Sequence, residues 1–120
     1  MPIWEAGERR GRKRERQADV DAVRAEAVGV ERQAASEVRV GREAVESMQR
    51  ALASARAAAE QATEVVRITD IAFRAGANTN IEVIDAQRRA RDADTGVAIA
   101  EHVLRRARLE LLVATGQFPR

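Results

Sequence analysis

The sequence contains no cysteine and no tyrosine, and Lys13 is the single lysine among its 21 basic residues. The absence of cysteine excludes disulfides, thiolate nucleophiles and cysteine-ligated zinc sites. The net charge is only +2, yet the isoelectric point is near 10.3, because almost nothing titrates between neutral and strongly basic pH. The high isoelectric point is therefore poor support for nucleic-acid binding.

Aromatic residues are also scarce, at 2% of the chain, although apolar residues make up 45%. Most of the apolar side chains are alanine and valine, which cannot fill a thick globular core but suit closely spaced helices. A two-helix structure of 120 residues buries little surface per residue. We therefore expect a partner or self-association.

Long apolar runs are missing as well. No stretch approaches the roughly 20 apolar residues of a membrane-spanning helix. The first ten residues are Met1-Pro-Ile-Trp-Glu-Ala-Gly-Glu-Arg-Arg10, and they lack the apolar segment of a secretory signal. The chain is thus expected to carry no export signal and no membrane anchor of its own.

A heptad pattern runs from about Glu8 to Phe73, a stretch without proline. Small or apolar residues recur there in steps of three and four, the spacing of helices that coil on a partner. The main stripe is Gly41, Val45, Met48, Leu52, Ala55, Ala59, Ala62, Val66, Thr69 and Phe73. An upstream stripe, with two successive steps of four around Ala34, is Val20, Val23, Ala27, Val30, Ala34 and Val38. This pattern predicts a helix over about 8–73, with another helix close to Gly29 and Gly41.

The segment 74–79 is predicted to be a turn. Gly76 can adopt the left-handed conformation that closes a helix. Asn78, Thr79 and Asn80 are suitable N-caps, and Thr79-Asn-Ile-Glu82 fits a capping box. The chain therefore reverses direction here.

A second helix is predicted over about 80–115, ending at Gly116 with Pro119 beyond it. Its stripe is Val83, Ala86, Ala90, Ala93, Val97, Ala100, Leu104, Ala107, Leu111 and Ala114, and Ile99, Val103, Leu112 and Val113 form a second apolar flank. The predicted fold is all-α, a single long antiparallel coiled-coil helical hairpin over 1–120. The second helix is too short to cover the N-terminal third, which needs solvent or another chain.

Three stretches resemble the TolC-type outer-membrane efflux proteins, the channels of tripartite export systems. The strongest is Ala72-Phe-Arg-Ala-Gly-Ala-Asn-Thr-Asn-Ile-Glu-Val-Ile-Asp-Ala-Gln-Arg88, which is similar to the turn of that family. Pro2-Ile-Trp-Glu-Ala-Gly-Glu-Arg-Arg10 resembles the start of its long helix, and Leu111-Leu-Val-Ala-Thr-Gly116 the end of its last helix. All three occur in the family's order and spacing.

The resemblance covers only the hairpin of the family's second repeat, without the first repeat or the barrel strands. It implies a fragment of a trimeric channel of the outer membrane and periplasm, with self-association into a periplasmic α-helical tunnel. The implied partners are a periplasmic adaptor protein and an inner-membrane pump, with membrane contact only through barrel strands that this chain lacks. The alternative is a generic coiled-coil interaction module without transport activity.

The resemblance also implies site residues at the turn. Ala75, Gly76, Ala77, Asn78 and Thr79 would form the tip that contacts the adaptor. Glu82 and Asp85 would line the pore constriction, since positions i and i+3 share a helix face. Both carboxylates also have local explanations, because Glu82 fits the capping box and Asp85 can pair with Arg88 or Arg89.

Other candidates are weaker. The cluster Arg9, Arg10, Arg12, Lys13, Arg14 and Arg16 could contact DNA, but Glu5, Glu8 and Glu15 interrupt it and it contains no asparagine or serine for base readout, so no nucleic-acid partner is expected. His102 has no second histidine or cysteine for a metal site. Trp4 is expected to pack where the chain would enter a barrel. We expect no catalytic, cofactor-binding or metal-binding residues and no enzymatic activity.

Overall fold

The computed structural model describes residues 3–117, with side chains from Gly7 onward. It contains two helices, α1 over Ile3–Arg74 and α2 over Asn80–Ala114. No strand is present between residues 3 and 117. The predicted all-α fold is confirmed, and the predicted helix ends at the turn are each correct to within one residue. The environment expected for Trp4, and Pro119 as a stop signal, lie outside the described residues.

The chain divides into two compact units, an N-terminal unit over Met1–Glu37 and a hairpin unit over Val38–Arg120. The boundary falls within α1, so the N-terminal unit contains only the first part of that helix. The hairpin unit contains the rest of α1, the turn and α2. The two units differ in how their apolar stripes are covered, and each is described separately.

The two stripes of the hairpin unit form its seam. Every residue of the α2 stripe is buried or half-buried, and so is every residue of the α1 stripe from Gly41 to Thr69. The most buried side chains are Leu52, Ala59, Val83, Ala86, Leu104 and Ala107. Since four of these six are alanine or valine, the helices pack through a thin core of small side chains.

Two contacts fix the direction of the pairing. A Cβ placed on Gly41 would lie 3.1 Å from Leu111 Cδ1, so the two helices approach closely there. Nearer the turn, Arg56 donates to Glu101 at 2.8 Å in an ion pair between α1 and α2. The partner number falls as the α1 number rises, as an antiparallel hairpin requires. The predicted close approach at Gly41 is confirmed.

The N-terminal unit has a different surface, because every described side chain of residues 7–37 is exposed. Its stripe valines are among them, with Val23 at 64% and Val30 at 63% of full exposure. The helix carries ion pairs along its own surface, Arg12 with Glu8 at 3.2 Å and Arg24 with Asp21 at 4.0 Å. Pairs of this kind each add only about 0.3–0.5 kcal/mol. This stretch is thus a single helix without a packed face.

One detail of the predicted stripes is wrong. Phe73 is 43% exposed instead of packed, since it lies in the last turn of α1, where only the start of α2 is available to cover it. A Cβ on Gly29 would meet no atom within 4 Å, so the helix expected near it is not supplied by this chain, and its presence stays a prediction about a second chain. The α1 residues covered by α2 begin near Gly41, and the upstream glycine lies outside the hairpin unit.

None of the described helical segments is long and apolar enough to cross a membrane.

Candidate functional site

The turn begins with a closed helix end. Gly76 has φ of 78°, which is the left-handed conformation that a residue with a side chain adopts at a cost. The Gly76 amide donates to the Phe73 carbonyl at 2.9 Å, and the Ala77 amide donates to the Ala72 carbonyl at 2.8 Å. These two bonds define a Schellman motif, which satisfies carbonyls that the end of α1 would leave free. The predicted role of Gly76 in closing the helix is confirmed.

A capping box starts α2 immediately afterwards. The Thr79 amide donates to Glu82 Oε2 at 2.7 Å, and the Glu82 amide donates to Thr79 Oγ1 at 3.4 Å. The Thr79 backbone is extended, with φ of −90° and ψ of 158°, as an N-cap residue requires. Only Ala77 and Asn78 therefore lie between two independently closed helix ends. The tip is a short segment whose shape is set by the backbone bonds that close α1 and by the bonds between backbone and side chain that open α2.

The tip presents mostly exposed, small side chains. Ala75, Ala77 and Thr79 are exposed, and Asn78 is half-buried. A Cβ on Gly76 would meet no atom within 4 Å, so space around the bend is open. The five residues predicted to contact an adaptor thus lie together at one end of the hairpin, on a surface that another chain can approach closely.

The two carboxylates assigned to a constriction both have partners within the chain. Glu82 Oε2 accepts hydrogen bonds from the Thr79 amide and from Thr79 Oγ1, at 2.7 and 3.1 Å. Asp85 accepts from Arg88 at 2.8 Å and pairs with Arg89 at 2.7 Å. Their local explanations therefore hold in full. A role in a pore would be added to these structural roles.

Further ion pairs lie on α1 as it approaches the turn. Arg74 pairs with Asp70 at 2.6 Å, so the last turn of the helix holds one basic and one acidic group. One turn earlier, Arg67 donates to Glu64 at 2.6 and 2.8 Å. That hydrogen bond lowers the pKa of the Glu64 carboxyl and raises the pKa of the Arg67 guanidinium. Both groups are exposed and act at the surface.

Large apolar side chains lie near the tip, and apart from Phe73 they are absent from the predicted stripes. They lie on both helices outside the seam, and Ile81 is the most exposed at 78%. The set, called here the tip flank, is Val65, Ile68, Ile71, Phe73, Ile81 and Ile84, all between 43% and 78% exposed. The sequence feature that could have identified this surface is the group of isoleucines on both sides of the turn, because clustered large apolar residues are unusual on a solvent-exposed helix surface.

A second apolar flank occupies the far part of α2. Ile99 and Val113 are 60% and 63% exposed, whereas Val103 and Leu112 are 39% and 37% exposed. The sequence predicted these residues as a flank that meets another neighbour. Within this chain they are uncovered.

Metal-ligating side chains do not gather anywhere in the described range, where no group of three histidine, aspartate or glutamate residues could hold an ion.

Comparison with protein-family models, with curated protein sequences and with solved structures produced no match to this chain. The fold and the tip together define a class, the coiled-coil-like antiparallel helical hairpins. Within that class, the resemblance to efflux channels remains a prediction from the residues of the turn.

Proposed function

We propose that this chain forms part of the periplasmic α-helical tunnel of an outer-membrane efflux channel and contacts a periplasmic adaptor protein through its tip. The observation that carries the proposal is the turn itself. Gly76 closes α1 and the Thr79–Glu82 capping box opens α2, within the same stretch that resembles the family. A tip closed in this way keeps its form while the side chains of Ala75, Ala77 and Asn78 are not used in closing it and can contact a partner.

The tip flank supports a contact role for this end of the hairpin. Exposed isoleucines next to a small-residue tip offer apolar area around a point of close approach. An adaptor hairpin that packs its own helices beside the turn would cover these side chains. The implied function is assembly and docking, with the inner-membrane pump engaged through the adaptor and no covalent chemistry.

Glu82 and Asp85 are proposed to line the constriction of the assembled channel. A ring of carboxylates in a narrow pore favours cations. Glu82→Gln separates this role from capping, because glutamine also completes a capping box. In a full-length channel carrying this hairpin as its second-repeat hairpin, Glu82→Gln should lower cation selectivity in planar bilayers without changing thermal stability. Unchanged selectivity would remove Glu82 from the pore.

The docking proposal is tested by binding. The isolated hairpins of adaptors from tripartite systems would be titrated against the wild type and against Asn78→Ala and Gly76→Ala. Binding by the wild type that falls at least about tenfold in Asn78→Ala, with helicity unchanged, supports the proposal. Absence of binding by any adaptor hairpin at about millimolar concentration would refute it.

The structure provides a matched control for the glycine. Gly116 ends α2 in the same way, with φ of 68° and the same pair of hydrogen bonds, to Val113 from its own amide and to Leu112 from the Gln117 amide. Gly116→Ala therefore introduces the same backbone strain far from the tip. If Gly76→Ala weakens adaptor binding and Gly116→Ala does not, the loss of binding results from the change in the tip and not from backbone strain elsewhere.

The second candidate function, a coiled-coil interaction module without transport activity, is favoured by the second apolar flank. Its residues lie on α2 away from the turn and are exposed. Ile99→Ser with Val113→Ser should abolish partner binding if the module reading is correct. The same double variant should leave adaptor docking at the tip unchanged if the channel reading is correct.

A further inference from the structure

The N-terminal unit carries an apolar stripe that nothing in it covers. Val20, Val23 and Val30 are 45%, 64% and 63% exposed, although their spacing is that of a coiled-coil seam. Alanines at positions 27 and 34 complete the stripe. A helix whose small apolar residues keep this spacing is suited to pack against another helix at short distance.

Charge along this unit is strongly polarised. Residues 8–16 contain six basic and two acidic side chains, a net charge of +4. Residues 17–37 contain five acidic side chains and two arginines, a net charge of −3. Few of these charges are paired along the helix, and the two ion pairs present are at least 62% exposed. Most of these charged side chains can therefore pair with charges on a second helix.

We propose that residues 8–37 pair in antiparallel orientation with the same residues of a second copy of this chain. A parallel pair would place +4 against +4 and −3 against −3, which is repulsive along the whole length. An antiparallel pair centred near Val23 places the basic segment of each copy against residues 29–37 of the other, which contain two glutamates and one arginine, a net charge of −1. The charge pattern thus favours the antiparallel direction.

The position of the valines fits this arrangement. The middle of residues 8–37 falls next to Val23, so the valines at positions 20 and 23 lie near the twofold axis. The apolar seam is therefore central, and the two basic segments lie at its ends. Central apolar contact with charged ends is the usual anatomy of a specific interface.

The same basic cluster could instead attract nucleic acid, and that reading leaves the valine stripe unexplained. A phosphate backbone would neutralise Arg9 to Arg16 but would not cover the exposed stripe beyond them. Self-pairing accounts for both features with one partner. The inference rests on the N-terminal unit and not on the tip, and it describes an association different from the channel, because the tunnel needs all copies of α1 to run in the same direction.

The absence of cysteine allows a clean test of orientation in the full-length chain. Arg12→Cys and Gln33→Cys place single thiols beside the stripe in the basic and the acidic segment. When the two variants are mixed and treated with a bismaleimide, antiparallel pairing predicts 12–33 cross-links that exceed 12–12 and 33–33 products by about fivefold or more. Ala77→Cys at the tip should not cross-link to itself.

Several outcomes would overturn the proposal. These are a monomer by sedimentation at about 0.1 mM in low salt, a predominance of 12–12 and 33–33 products, and a 77–77 product as the main species. The last result would indicate association through the tip, as the channel proposal allows, and so separates the two ideas. Duplex DNA that binds wild type and dissolves the dimer would assign the basic segment to nucleic acid.

Charge reversal tests the driving force. Arg14→Glu or Glu31→Arg, at positions that face each other in the antiparallel pair, should each weaken self-association by about threefold or more, and mixing the two variants should restore it. Arg50→Glu, an exposed change in the hairpin unit, is the matched control and should have no effect. Dimerisation that survives both reversals unchanged would refute charge-directed pairing. Circular dichroism of each variant verifies that helicity is retained.

Discussion

Residues 20–38 and residues 41–69 of α1 carry stripes of the same spacing, but α2 covers only the second. Leu52 and Ala59 in the covered stripe are 9% exposed, whereas Val23 in the other is 64% exposed. The same helix therefore contains one heptad stripe that is packed against a partner and one that is exposed. Spacing alone indicates the ability to pack on a partner, and the chain supplies that partner over only part of α1.

The two regions also differ in what maintains the helix. In the hairpin unit, burial against α2 adds to intrinsic propensity. In residues 7–37 the helix depends on alanine, arginine and glutamate propensity and on weak surface pairs. Most helical stability in proteins comes from packing of one face. The N-terminal unit should therefore open far more readily than the hairpin, unless a second chain covers it.

The largest expected effect is on the covered seam. Leu104, at 5% exposure, is the most buried residue of the hairpin. Leu104→Ala should lower the free energy of unfolding by about 2 kcal/mol, because it leaves a cavity in a thin core. Val23→Ala should change it by less than about 0.5 kcal/mol. Thermal unfolding of the monomer followed by circular dichroism measures both, and equal losses would contradict the contrast between the units.

Removal of the cap at the turn should have the next largest effect. Thr79→Ala deletes the side chain that accepts from the Glu82 amide and should destabilise the hairpin by about 1 kcal/mol. Denaturant unfolding gives the value. The matched control is Thr95→Ala in the interior of α2, where the hydroxyl bonds only to the Arg91 carbonyl. A loss in Thr95→Ala as large as that in Thr79→Ala would argue against capping as the cause.

A pair of glycines sharpens the comparison directly. Alanine is favoured over glycine within a helix by about 1 kcal/mol. Gly29→Ala should stabilise the surrounding helix by most of this free energy, because its Cβ would meet nothing within 4 Å. Gly41→Ala should gain less, since its Cβ would lie 3.1 Å from Leu111 Cδ1 and that side chain must shift. Amide hydrogen exchange around each position reports the difference, and a larger gain at Gly41 would show that Leu111 does not restrict it.

The smallest effect concerns pH. The hydrogen bond from Arg67 lowers the folded-state pKa of Glu64, so its contribution is present above the ordinary glutamate pKa, near 4.3. That contribution is lost as the pH falls through the lowered pKa. Glu64→Gln should therefore slightly reduce stability at pH 7 and have no effect at strongly acid pH. The difference between the two melting curves across pH 2–7 checks the sign.

Much of the hairpin was predictable from the sequence because its determinants are local. Steps of three and four identified the seam, and glycine, threonine and glutamate at fixed offsets identified the turn and its caps. Phe73 was assigned wrongly because periodicity cannot show where the opposing helix begins. The helix expected near Gly29 stays a prediction, because the cost of glycine in a helix does not reveal whether the neighbour belongs to this chain or to another.

The tip flank illustrates a different limit. Ile81 and Ile84 belong to neither predicted stripe, so heptad spacing does not identify them. Their exposure of 78% and 53% in the folded chain does. The sites of a contact surface are defined by what remains uncovered after folding. The surface left uncovered depends on how both helices pack, so the residue spacing of either helix alone does not predict it.

The closed turn also has a consequence for the order in which the chain folds. Seam contacts join residues ever farther apart in sequence with distance from the tip, and Arg56 and Glu101 are already 45 positions apart. The entropy of closing each contact is smallest next to the turn and grows slowly outward. The hairpin is therefore expected to zip from Gly76 toward Gly41 and Leu111, with each closed layer shortening the loop that the next must close.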